Sequence, residues 1–220
     1  DYQVKKLSLP YDNDFSTPTS NISYIQNAGY IKWIQDPNPT MTPVYGTGSL
    51  YFNSAIGNGQ ISTAMLYSIN LKNTLLPTLD FWFAHDSSHA DKQDRVEIQI
   101  STNGYSFNTI QTIYRYDSNF ANPGWQKHTI NLSDYTSETC VIIAFRAISA
   151  GGGNMWIDRI AISSAQEMSV SLDIPKEEDL IACELDHKEL KVKVSNNTLL
   201  SIDFDQTPVI LTLNISGAKT

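Results

Sequence analysis

No stretch of this chain approaches the ~20 consecutive apolar residues that carry a helix through a bilayer, so insertion into a membrane is not expected. Cysteine is almost missing. Cys140 and Cys183 fall in what read as different domains, which points to two free thiols rather than a disulfide and leaves the compartment open. No leader peptide opens the chain, and Asp1 stands where Met would, so a processed or cloned boundary is expected there. Cationic side chains are scarce, with 15 Lys and Arg against 23 Asp and Glu. The resulting net charge of -8 disfavours nucleic acid and anionic membrane as partners. G-x-S-x-G, H-E-x-x-H and any Cys–His pairing are absent. Most carboxylates fall in turns or on polar strand faces, without a recognisable acid–base pair. The chain reads as non-enzymatic. No segment predicts a helix longer than about two turns, and no tandem repeat is visible.

What remains is strands. From Leu79 to Ile160, apolar runs of strand length alternate with turns rich in Asn, Gly, Ser and Asp. This pattern predicts an antiparallel β-sandwich. Residues 95–102 alternate cleanly, with Val96, Ile98 and Ile100 on one face and Glu97 and Gln99 on the other. Leu79–Ala84 is apolar on both faces and reads as a central strand, with Trp82 and Trp156 assigned to the core. Residues 109–116, 126–132, 140–148 and 155–163 complete the series. Upstream, Leu7 to Phe15 reads as an extended opening strand and YIKWI (30–34) as a short strand. Pro37, Pro39 and Pro43 then exclude regular structure. SLYFNSA (49–55) and ISTAMLYSINL (61–71) flank IGNG, which suits a hairpin.

A boundary falls near Ser164, giving domains 1–164 and 165–220. The second block offers strands at 168–174, 189–194 and 209–215, about three where an immunoglobulin-like sandwich needs about seven. It reads either as a partial Ig-like domain or as strands completing the first sandwich. An incomplete sheet leaves an open edge, so this segment is expected to pack on the first domain or to pair with another copy of the chain.

Several motifs in order carry a family likeness. SLPYDNDFS, YGTGSLYFNSA followed by MLYSINL, LDFWFAHD with DRVEIQISTNG, WQKHTINLSDY, and VIIAFRA with MWIDRIAI together resemble bacterial MAM-like, cleaved-adhesin (choice-of-anchor type) modules. The resemblance covers residues 7–163. It implies an all-β antiparallel jelly roll from a secreted or cell-surface protein of a Gram-negative bacterium, with the tail as the start of an Ig-like domain. It also implies a structural calcium ion between the opening and closing strands. The matching donors here are Asp14, Asn53 and Asp158. Ser16 stands where the family commonly has Glu, and Arg159 where it has a second Asp. The Arg side chain could supply the ion's positive charge.

The ten residues HDSSHADKQD hold His85, Asp86, His89, Asp91 and Asp94, and read as a solvated polar loop rather than a metal site. GGGN before Met155 reads as a tight turn. Tyr45, Tyr51, Tyr114, Tyr116 and Phe120 fall in or beside predicted loops and are the candidate ligand-binding aromatics. Trp125 is expected to plug the sandwich edge. The chain therefore reads as a non-catalytic binding module that recognises host protein or glycan through loops at one end. The alternative is a structural spacer attached to a surface protease or glycoside hydrolase.

Overall fold

The computed structural model describes residues 5–18, 21–86, 88–116 and 124–165 fully, and the backbone of 170–173 and 193–196. In chain order the first strands are β1 (Lys6–Leu7), β2 (Tyr11–Asn13), β3 (Ile22–Ala28), β4 (Ile34–Asp36), β5 (Ser49–Asn53) and β6 (Asn58–Leu66). They are followed by β7 (Ser68–Ile69), β8 (Leu75–His85), β9 (Arg95–Ser101) and β10 (Asn108–Tyr114). The series closes with β11 (Gln126–Asn131), β12 (Ile142–Ala150) and β13 (Asn154–Ala165). Five strands form one sheet in the order β10-β9-β12-β6-β3. Six form the other, β11-β8-β13-β5-β4, with β2 joined to β13. Within both sheets every pairing is antiparallel. The fold is an all-β jelly-roll sandwich.

Alternation builds the core between the sheets. Val96, Ile98 and Ile100 are buried as the pattern predicts, and they face Leu50, Phe52, Phe81, Phe83 and Ile157 of the six-stranded sheet. Phe81 meets Phe145 edge-on, with ring centroids 5.2 Å apart. Trp33, 1% exposed, packs on Phe52 and donates from Nε1 to the Phe145 carbonyl at 3.0 Å.

Three local expectations are corrected. SLYFN and the strand after IGNG are not a hairpin, because β5 and β6 lie in opposite sheets. The residues between them form a 3₁₀ turn, Ser54–Ile56, in which Asn53 Oδ1 accepts from the Ala55 N–H at 3.2 Å. Ser54, fully buried, bonds Ser149 Oγ at 2.8 Å and anchors the crossing. The opening strand breaks into β1 and β2 on either side of Pro10, which has no N–H for a ladder. In YIKWI only Ile34 is extended into a ladder. Ile31 and Trp33 are core residues of a non-strand segment.

Residues Gln166–Thr220 form a separate unit. There β14 (Val170–Asp173) pairs antiparallel with β15 (Lys193–Asn196), Leu172 opposite Val194. The expected strand at 209–215 and Cys183 lie outside the described residues.

Candidate functional site

The outer face of the six-stranded sheet carries the aromatic and charged groups that its inner face excludes. Because side chains alternate along a strand, Phe81, Phe83 and Ile157 point inward while Trp82, Trp156 and Tyr51 point outward. The register sets Trp156 between Tyr51 on β5 and Ala84 on β8, with Ile34 beyond Tyr51. Tyr51 leans on Trp156, centroids 5.7 Å apart, and its hydroxyl donates to Asn154 Oδ1 at 3.0 Å. Trp156 is 3% exposed, so its burial comes from this outer packing and not from the sandwich interior. Trp82, expected in the core, is half-buried on the same outer face.

A bulge in β13 shapes the next part of the face. Asp158 pairs with Trp82 and Ala161 with Asp80, so β13 has one residue more than β8 across this interval. Arg159 is that extra residue, at φ +42°, and both Asp158 and Arg159 project outward. The segment 42–47 lies across them as a strap. Asp158 Oδ2 accepts from the backbone N–H of Val44 at 2.8 Å and of Tyr45 at 2.9 Å, and Oδ1 accepts from the Arg159 N–H at 2.7 Å. Thr47 N–H donates to Ser16 Oγ at 3.1 Å, and Trp125 Nε1 donates to the Thr42 carbonyl at 2.6 Å. Trp125 is half-buried, so its main role is to tie the strap to the start of β11. Burial pushes the Asp158 carboxyl up, the three N–H donors oppose this, and the charge of Asp14 adds to it.

The strap presents Tyr45, 38% exposed, with its ring centroid 6.3 Å from that of Trp82. The Arg159 guanidinium lies 4.2 Å from the Tyr45 ring centre. It also grips Asp12, with Nε 3.1 Å from Oδ1 and Nη2 2.9 Å from Oδ2. This hydrogen bond is the main reason that the Arg159 pKa is raised. Asp12, Asp14, Tyr45 and Arg159 line an open hollow of about 340 Å³. That is near the small end of the ~300–1,000 Å³ typical of ligand sites. Asp36 and Asp80 lie on the same outer face, the latter 3.2 Å from Lys127 Nζ.

The three donors that the resemblance assigned to calcium do not converge. Asp158 and Asp14 are close enough to interact electrostatically. Asn53, opposite Asn154, lies four residues along β13 from Asp158, roughly 13 Å away. Both Asp158 oxygens, Asp14 Oδ1 and Asn53 Oδ1 already accept backbone N–H groups. Ca²⁺ takes six to eight oxygens, and this set does not fit it. Arg159 puts a positive charge beside Asp12 instead.

The remaining aromatic candidates lie elsewhere. Tyr114, 48% exposed, ends edge strand β10 of the opposite sheet, and Tyr116 packs against His85 at 6.1 Å. Phe120 lies outside the described residues. Of the four described candidates, Tyr45 and Tyr51 share the face described above.

HDSSHADKQD is not uniformly solvated. Arg115, fully buried, places Nε 3.4 Å from Asp94 Oδ2 and Nη1 3.2 Å from Asp86 Oδ1, and donates further to the carbonyls of Asp86, Ser88 and His89. Asp94, also fully buried, accepts from the N–H groups of Ala150 and Gly152. Asp86 accepts from Asn154 N–H and two Ser88 donors, which together with Arg115 outweigh its burial and hold its carboxyl below the usual range. The glycines at 152 and 153 are needed for close approach. A Cβ there would stand 1.9 Å from Asp94 Oδ2 and 2.0 Å from Asp86 Oδ1. This cluster closes the end of the sandwich. Among the described residues no group of three or more His, Cys, Asp or Glu could hold a metal ion.

No protein-family profile matches this chain, and no curated protein matches it in sequence. Its fold does match solved structures. The K1 cleaved adhesin domain of Lys-gingipain from Porphyromonas gingivalis W83 aligns with a TM-score of 0.56 at 16% identity, covering 71% of this chain and 99% of that domain. The K2 domain of Lys-gingipain gives 0.53 at 11% identity, over 71% of this chain and 99% of that one. The K3 domain gives 0.52 at 14%, over 70% and 98%. At these identities the likeness shows a shared jelly-roll fold. No helix among the described residues is long and apolar enough to cross a membrane.

Proposed function

We propose that residues 5–165 form a non-catalytic module that binds a glycan chain on the outer face of the six-stranded sheet, within a secreted or cell-surface protein. The observation that carries this reading is the strap-and-sheet surface on which Tyr45 and Trp82 stand side by side next to the Asp12–Arg159 pair. Sugar rings have apolar faces that pack on aromatic rings and hydroxyls that bond to carboxylates and guanidinium groups, and this surface offers both. Ligand sites combine apolar lining with a few fixed polar groups, as here. Asp158 is unsuited to acid–base chemistry, because its buried oxygens are engaged by three backbone donors. The adhesin domains with the same fold support a binding role and a place outside the cell.

The test is calorimetric titration with neutral oligosaccharides of gluco, manno and galacto configuration. Trp82→Ala and Tyr45→Ala should each weaken binding tenfold or more, a loss of about 1.4 kcal/mol. Tyr114→Ala should have no effect. If Tyr114 and Tyr116 variants lose binding and Trp82→Ala does not, recognition lies in the loops at the other sheet. If wild-type protein binds none of the series, the spacer reading replaces this one.

A further inference from the structure

The outer face has a charge pattern that the glycan reading alone does not require. Strand register and the hollow place Asp12, Asp14, Asp36, Asp80 and Asp158 on this face or its rim. Among the described residues, the two cations that register places on it are both engaged, Lys127 by Asp80 and Arg159 by Asp12. Among the same residues, five carboxylates against two cations leave an excess of three negative charges around the aromatic pair. Arg159 is the cation nearest Tyr45, and a guanidinium is the side chain best shaped to take a sugar carboxylate or sulfate. Asp12 occupies that fork with two parallel bonds, from Nε to Oδ1 and from Nη2 to Oδ2. The pair is partly open to solvent, with side-chain exposures of 34% for Arg159 and 53% for Asp12, so the fork is masked by its partner and not by burial.

We infer that Asp12 is a specificity-determining residue that locks Arg159 away from anions, so that this face accepts uncharged glycans and rejects acidic ones. This inference rests on the glycan-binding reading of the same site. Selection against a ligand by a built-in repulsive group is a common way to gain specificity. The surplus carboxylates would act within about a Debye length, ~10 Å at 0.1 M salt, which spans the hollow and the aromatic pair.

The experiment titrates wild-type protein with neutral galacto-, gluco- and manno-hexasaccharides and with galacturonic acid hexasaccharide, at 20 and 300 mM salt. Wild type should bind the best neutral probe at least tenfold more tightly than the galacturonate probe. Asp12→Asn should gain tenfold or more in galacturonate affinity, with the gain lost at 300 mM salt. The double variant Asp12→Asn/Arg159→Gln should lose that gain, which assigns it to the freed guanidinium and not to one fewer carboxylate. Both variants are checked for a cooperative thermal transition, and Asp12→Ser replaces Asp12→Asn if the latter does not fold. Wild-type binding of galacturonate as tight as of the neutral probes overturns the inference but leaves glycan binding standing. So does a folded Asp12 variant with no gain, or a gain that persists in the double variant. Failure of wild type to bind any probe overturns both.

Discussion

Asp158 is the residue on which the candidate site depends most directly, and replacing it with Asn tests that dependence. Its side chain is fully buried, and its two oxygens accept three backbone N–H groups at 2.7–2.9 Å. An amide has one acceptor oxygen. Turned toward the strap, it can still serve Val44 and Tyr45, but its NH₂ group then faces the Arg159 N–H. Turned the other way, it leaves both strap donors opposed by a donor. Either orientation leaves at least one buried donor unsatisfied, at a cost of about 1–3 kcal/mol. For a domain of this size that lowers the melting temperature by roughly 2–12 °C. Exchange of the Val44 and Tyr45 amide hydrogens, followed by NMR, should accelerate in Asp158→Asn and further in Asp158→Ala, because the strap lifts. Glycan affinity should fall in parallel as Tyr45 leaves Trp82. An Asp158→Asn protein with unchanged melting temperature and still-protected Val44 and Tyr45 amides would refute the strap argument.

Arg115→Met should destabilise strongly, by about 3–5 kcal/mol, since it removes the cation beside the buried Asp94 carboxylate and one of the four donors to Asp86; urea unfolding with a loss under 1 kcal/mol would contradict this. His128 stacks on Phe81 at 5.3 Å, and burial lowers its pKa. Its stabilising contribution is therefore complete above the unfolded value of about 6.5 and is lost as pH falls toward the folded pKa. The drop in melting temperature between pH 7.5 and 5 should be smaller in His128→Phe, and an identical drop would rule the residue out. Residues 1–165 should fold alone with a cooperative transition by circular dichroism, because both sheets of the sandwich close within them; an unfolded fragment would show that the tail completes the fold. If the tail pairs with a second copy, sedimentation should show self-association of the full chain but not of residues 1–165.

The period-2 pattern of 95–101 was sufficient to place Val96, Ile98 and Ile100 inside, since a strand with one buried face has only one register that hides them. The same parity in LDFWFAH puts Trp82 opposite in sense to Phe81 and Phe83, so its outward position was legible, although the unbroken apolar run suggested a core residue. Asp14 and Asp158 were grouped by the resemblance as donors to one ion, and Tyr45 stood apart as a candidate aromatic. The strap that brings Tyr45 onto Asp158 was not legible. The bulge at Arg159 turns two consecutive side chains outward, and no local signal marks it, because a bulge is defined by the partner strand. The crossing at Ser54–Ile56 mimics a hairpin because its turn residues would suit either connection, and the choice is made by Ser54 reaching Ser149 95 residues away. Arg115 likewise meets Asp86 and Asp94 only after β10 folds back along β9. Alternation along each strand thus determined that this chain forms a sandwich and largely which residues lie inside, because burial of one face depends only on local period. Which outward residues meet across strands depends on register, bulges and sheet crossings, and these are fixed by contacts between residues far apart in the chain.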